Sequence, residues 1–203
     1  PGPGLQQGRL DAPLPVPGRV QDLLMARLDR LNSAKVVAQF GSVVGRRFSQ
    51  ALIEAVFADP FAPIRVHSVV FHLEALVSAG VLRQSGLGSE LSYEFRHALM
   101  QDAAYASLWE RDRRLCHQAT LQVLRNGWAA GQPEILARHS AAAGLPEAAL
   151  GYWESAARLA IGRCAQVEAS RHLEAALGQA ELLADQPTQN SITLRLLLLQ
   201  ASQ

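Results

Sequence analysis

Apolar and polar positions along this chain repeat with a helical period almost throughout, interrupted once by strand-like alternation. From Gly18 to Leu31, Val20, Leu23, Leu24, Leu28 and Leu31 share one face while Asp22, Arg27 and Arg30 share the other, as in a helix lying on a core. Asn32-Ser33 offers a stop and an N-cap. The next helix, Ala34–Val44, collects Val36, Val37, Phe40, Val43 and Val44 before Gly45 ends it. Ser49 caps a helix over Ser49–Phe57 with Leu52, Ile53, Val56 and Phe57 as its apolar set, and Pro60 and Pro63 mark a loop. The cleanest period spans Arg65–Ala79, where Val66, Val69, Val70, Leu73, Leu76 and Val77 fall at i, i+3, i+4 and Gly80 closes the helix.

The period then changes. Val81-Leu82-Arg83-Gln84 and the turn SGLGS lead into Leu91, Tyr93 and Phe95, which alternate with Ser92, Glu94 and Arg96 as a half-buried strand does. At His97 the helical period returns, with Leu99, Ala103 and Leu108 on or near one stripe. His97 therefore stands where a strand runs into a helix, beside backbone N–H groups that lack helical partners. Three helices followed by a two-stranded hairpin is the order of a winged helix, assigned to residues 18–108.

Beyond Leu108 the pattern predicts helices only: Arg111–Arg125, Pro133–Ala143, Pro146–Ile161, Gln166–Leu183 and Gln189–Ser202. Short connections between helices of similar length imply antiparallel neighbours. Ala137, Gly144, Ala149, Trp153 and Ala156 resemble the small-residue spacing of a tetratricopeptide repeat. Ala157, Ala169, Leu173 and Ala176 repeat it one helix on, with Cys164 where glycine is expected. A generic stack of helical hairpins produces the same pattern. Either way residues 109–203 read as an α-solenoid, a surface for binding rather than a catalytic pocket. The fold class is mainly α. Pro1–Pro17, with five prolines and three glycines, reads as an irregular linker and gives the chain the look of a piece of something longer.

Composition adjusts this picture only slightly. With 49% hydrophobic and 18% charged residues the chain is an ordinary globular one, and 6% aromatics favours helices over sheets. A net charge of +1 makes no electrostatic case for nucleic acid or an anionic membrane. Lys35 is the only lysine among 19 basic residues, which reads as GC-rich, bacterial coding. Cys116 and Cys164 lack CxxC spacing and are expected to be two buried thiols, not a disulfide or metal site. No apolar run reaches membrane-spanning length, since Leu194–Leu199 is short and holds Arg195. PGPGLQQGRL has no apolar signal core, so the expected compartment is the cytoplasm.

Motifs for catalysis are missing. Lys35 sits in SAKVV without a glycine loop, so there is no Walker A cradle, and no GxSxG, HExxH or EF-hand loop occurs. Cys116 with His117 or His139 is the one pairing conceivable for nucleophilic work, but these residues lie within helices and a structural role is favoured. The segment is thus expected to be no enzyme and to hold no metal and no cofactor. A DNA-binding winged-helix regulator is the alternative. Its reading helix, Arg65–Ala79, offers only Arg65, His67 and His72 outside the apolar stripe, and Glu74 has the wrong sign. Such a helix is built for packing on protein, so DNA is not the expected partner. On the residues alone, His97 is best read as satisfying a helix start or packing under the wing.

VPGRVQDLLMARLDRL (Val16–Leu31), VVAQFGSVVGRRF (Val36–Phe48) and YEFRHALMQDAAYASL together resemble the region that follows the ATPase module in bacterial STAND-type signalling proteins, among them adenylate or guanylate cyclase-associated proteins and LuxR-type regulators. LARHSAAAGLPEAALGYWESAARLA (Leu136–Ala160) resembles the start of their helical repeats. The resemblance implies a winged helix that restrains an upstream nucleotide-binding domain, and repeats that sense an unknown protein or small-molecule ligand. It implies ATP or ADP and Mg for the parent, with ATPase and nucleotidyl cyclase activity lying outside this segment. In that family a Met-His-Asp motif supplies a histidine to the ADP phosphate. FRHAL is similar in placement: Arg96 stands for Met, His97 matches the histidine, and Ala98 replaces Asp. His97 is the one residue carried over, as a nucleotide sensor.

Overall fold

Aromatic side chains on one face of a short sheet set the arrangement of the first half of the chain. The structure is a computed structural model and describes residues 18–183, so the linker Pro1–Pro17 and the helix expected at Gln189–Ser202 lie outside the described residues. Its elements run α1 (Gly18–Asp29), α2 (Ser33–Val44), β1 (Arg47–Ser49), α3 (Gln50–Ala58), α4 (Val69–Ser78), β2 (Leu82–Ser85), β3 (Ser92–Phe95), α5 (Ala98–Ala106), α6 (Glu110–Val123), α7 (Pro133–Ala142), α8 (Pro146–Gly162) and α9 (Gln166–Glu181). The fold is mainly helical with one small antiparallel sheet of order β1-β3-β2.

The strands pair because alternation puts their large apolar residues on one side. Phe48 of β1 stands opposite Tyr93 of β3, and Leu82 of β2 opposite Phe95. All four are buried, and the Phe48 ring lies 6.2 Å from Tyr93 and 6.3 Å from Phe95. On the polar face Glu94 accepts from Arg83 at 2.8 Å and also pairs with Arg46 at 3.5 Å. Hydrogen bonding from Arg83, with the charges of Arg47 and Arg46 adding to it, holds the Glu94 carboxyl below its ordinary range.

Two local expectations are corrected. The two-stranded hairpin is a three-stranded sheet, because β1 is only three residues long and has no alternation to read; its partner β3 makes it a strand. The helix expected from Arg65 starts at Val69: Arg65 instead turns back to donate to the carbonyl of Ala58 at 3.2 Å, and Ser68 takes a left-handed φ of 55°. Ser49 caps α3 as expected, its hydroxyl accepting from the Leu52 N–H at 3.2 Å.

One core gathers side chains from α1 through α6, including Leu28, Phe40, Ile53, Leu73 and Met100, and reaches Cys116, Ala119 and Val123. A second, smaller one joins Leu150, Ala157 and Ala160 of α8 to Ala169, Leu173 and Ala176 of α9. Helices α7, α8 and α9 follow one another through turns of one geometry. A left-handed residue, Gly131 (φ 74°), Gly144 (φ 76°) or Cys164 (φ 59°), precedes each of them by two positions. The residue between has ψ of 64°, 71° and 68° in Gln132, Leu145 and Ala165 respectively. Cys116 is buried as expected, but Cys164 is exposed, in a turn where its backbone is left-handed.

Two stability changes follow from this packing. A Cβ on Gly41 would lie 2.7 Å from Cζ of Phe48, whose ring is wedged between Tyr93 and Phe95. Gly41→Ala should lower stability by about 1–2 kcal/mol net of the better helix propensity of alanine. A lower urea midpoint at unchanged m-value is the expected reading. Cys164→Gly should raise stability by up to about 1 kcal/mol, since glycine takes a left-handed φ without a Cβ penalty; a midpoint at or below wild type would contradict that account.

Candidate functional site

His97 sits between β3 and α5 in extended backbone (φ −131°, ψ 135°) as the residue that begins the helix. Its carbonyl accepts from the N–H groups of Met100 at 3.0 Å and Gln101 at 3.4 Å, but its side chain makes no capping bond. The ring is exposed, so neither the helix start nor packing under the wing uses it. Arg96 is also exposed and spends only its Nε, on the Leu82 carbonyl at 3.5 Å. Backbone pairing brings a further basic segment to this place, because the Phe95 N–H donates to the Arg46 carbonyl at 3.0 Å. Three residues before His97, Glu94 gathers Arg46, Arg47 and Arg83 around its carboxylate, and Arg96 directly precedes His97.

The other histidines singled out from the sequence do not serve Cys116. Burial pushes the Cys116 thiol up to about 12, so it holds no thiolate near neutral pH. His117 turns instead to His139, with Nδ1 to Nδ1 at 3.0 Å, and its Nε2 lies 3.0 Å from the hydroxyl of Tyr105. Three helices meet in this chain: Tyr105 belongs to α5, His117 to α6 and His139 to α7. Burial, with the charges of Arg113 and Arg138, lowers His117 to about 4. Burial, then His117 and Arg138, lowers His139 to about 3. Both rings are neutral at pH 7, so one Nδ1–H donates to the other Nδ1. Tyr105 then donates to His117 or accepts from it, according to the direction in which the protons run.

Arg113 pins the corner between α5 and α6. Its guanidinium lies 4.5 Å from the Tyr105 ring centre and donates to the carbonyls of Tyr105 at 3.4 Å and Leu108 at 3.2 Å. Tyr105 escapes sequence reasoning because its partner is twelve positions away on another helix. The signal available is that His117 interrupts the buried stripe of α6, where a polar group needs a partner.

Above the chain lies a cleft of about 380 Å³. Its walls are the end of α2 at residues 42–45, Gln101, Asp102 and Tyr105 of α5, His117 of α6, and Arg138, His139 and Ala142 of α7. Gln101 ties two of these walls together by donating to the Ser42 carbonyl at 3.2 Å.

No family model matches this chain, and no solved structure does. An uncharacterised protein of Rhizobium meliloti (strain 1021) is 28% identical over 177 residues, which is 86% of this chain and 17% of that protein. The chain therefore spans a minor part of a much longer relative. Among the described residues no helix is long and apolar enough to cross a membrane, and no three His, Cys, Asp or Glu side chains are grouped to hold a metal ion.

Acid should destabilise the protein through the histidine pair. Both folded-state values lie below the ordinary 6.5, so the unfolded chain takes up these protons first as pH falls. Stability from this source is complete above about pH 6.5 and is lost as pH falls toward 4 and 3, by on the order of 3 kcal/mol for the first proton excluded. Urea midpoints across pH 7 to 4 should show this limb, and a His117→Gln/His139→Gln double variant should flatten it.

Proposed function

We propose that this chain is a non-catalytic regulatory segment of a multidomain bacterial signalling ATPase. Residues 18–108 act in it as a winged helix and the following helices as a tetratricopeptide-like array. The connectivity α2-β1-α3-α4-β2-β3, with sheet order β1-β3-β2, supports the winged-helix reading. The repeated left-handed turns ahead of α7, α8 and α9, and the alanines packed between α8 and α9, support the array. The much greater length of the Rhizobium protein supports a segment of a larger assembly.

The observation that carries the proposal is His97: an exposed imidazole, free of its own helix and preceded by the exposed Arg96. A ring N–H and guanidinium groups at a helix start are donors suited to a phosphate held by a neighbouring domain. The winged helix would hold the ATPase closed through this contact and through domain packing. Whatever binds the array more tightly in the open state would release it.

A protein partner fits the remaining surface better than DNA does. Along α4, the helix that would enter a groove, the exposed positions are Phe71, Glu74 and Ser78, with no cation among them. Phe71 is 64% exposed, an aromatic side chain better matched to an apolar partner than to phosphates.

The test uses the full-length protein. Its reading frame should encode a GxxxxGK[ST] module upstream of Val16, and His97→Ala should speed release of a fluorescent ADP about tenfold or more, the worth of one charge-assisted hydrogen bond. A frame without that module, or release unchanged by the substitution, overturns the reading.

A further inference from the structure

The cleft above the Tyr105–His117–His139 chain carries two opposite charges that have no partner among the described residues. Asp102 of α5 and Arg138 of α7 are both exposed and both line it, yet neither takes part in a salt bridge or side-chain hydrogen bond with a described residue. Since an ion pair between them would require an approach within 4.0 Å, they stand farther apart than one bridge can span. The carboxyl end of α2 forms another wall of the same cleft, and the negative end of its dipole favours a cation there. The floor is two neutral imidazoles and a tyrosine hydroxyl already bonded in series, with the Gln101 amide at one side. A cleft of about 380 Å³ is of the size that holds small molecules.

We propose that this cleft binds a small zwitterion of the α-amino-acid class, its carboxylate on Arg138 and its ammonium between Asp102 and the end of α2. A molecule with both charges satisfies both walls at once. A simple anion leaves Asp102 facing negative charge, and a simple cation leaves Arg138 facing positive charge. The neutral histidine pair suits this ligand, because it adds hydrogen-bonding capacity without adding a third charge. Occupancy bridges α5 to α7 in parallel with the buried polar chain, so it fixes the position of the array relative to the helix that begins at His97. The proposal deepens the sensing half of the function proposed above by naming the ligand class. It rests on the cleft and does not require the parent to be an ATPase.

Binding is measured on this chain by thermal shift and calorimetry, with the standard α-amino acids tested singly at millimolar concentration. Each acid that binds is compared with its carboxylic acid lacking the amine and with its amine lacking the carboxylate. At least one amino acid should raise the melting temperature, as any ligand of the folded state does, and both truncated analogues should bind about tenfold or more weakly. Arg138→Gln and Asp102→Asn should each abolish the shift while leaving the circular dichroism spectrum unchanged, since both side chains are exposed. No shift with any amino acid overturns the proposal. So does a truncated analogue that binds equally well, or a shift that survives both substitutions. The ADP-release experiment does not bear on these outcomes, so the two readings fail separately.

Discussion

The seating of Phe48 against the bare backbone of Gly41 is the contact on which the first half of the molecule depends. With no Cβ at Gly41, the Phe48 ring reaches the surface of α2, stacks with Tyr93 and meets Phe95 edge-on. The same seating lets the three residues of β1 pair with β3, which then has a partner on each side. The end of β3 in turn sets where His97 stands and where α5 begins. A close approach at one glycine thus propagates, through strand pairing, to the direction of a helix and the exposure of its first side chain.

Helix α5 then joins two dissimilar environments. His97 lies exposed at its start, next to Arg96, and Tyr105 lies half-buried near its end in a polar setting. About 12 Å of helix separates them, from the rise per residue. Tyr105, His117 and His139 tie α5, α6 and α7 into one hydrogen-bonded series, and Arg113 closes the corner through the carbonyls of Tyr105 in α5 and Leu108 just after it. A buried polar series of this kind has few alternative arrangements, because each member left unpaired costs about 1–3 kcal/mol. The last three described helices therefore meet the sheet-bearing half through a connection that holds one geometry or breaks.

Much of this architecture is legible in the residues in order. Wherever a helix buries one face, the 3.6-residue period marks it, and α2, α3, α7, α8 and α9 lie within a residue or two of the expected spans. Caps and turns are equally local: Ser49 bonds the Leu52 N–H, and Gly144 takes a left-handed φ as the turn requires. Even the odd residue is informative, since Cys164 adopts the glycine-like φ that its place in the repeated turn predicts. His97 at a strand-to-helix junction was likewise readable, because alternation gives way to helical period there.

What the order of residues could not supply are contacts between side chains distant along the chain. β1 is too short to show a period and is a strand only through β3. The first turn expected of α4 is absent because Arg65 finds the Ala58 carbonyl, a partner that only the folded loop presents. His117 and His139 looked like candidates to serve Cys116, whereas packing of α5, α6 and α7 joins them to each other and to Tyr105. The sequence by itself determined most of the helices, the cap at Ser49 and the junction at His97, because those depend on neighbours within a turn or two, whereas the cap expected at Asn32-Ser33 makes no side-chain bond. Tertiary structure alone decided which polar groups are buried together and which charges share a cleft, because hydrogen bonds and desolvation act through space, without regard to separation along the chain.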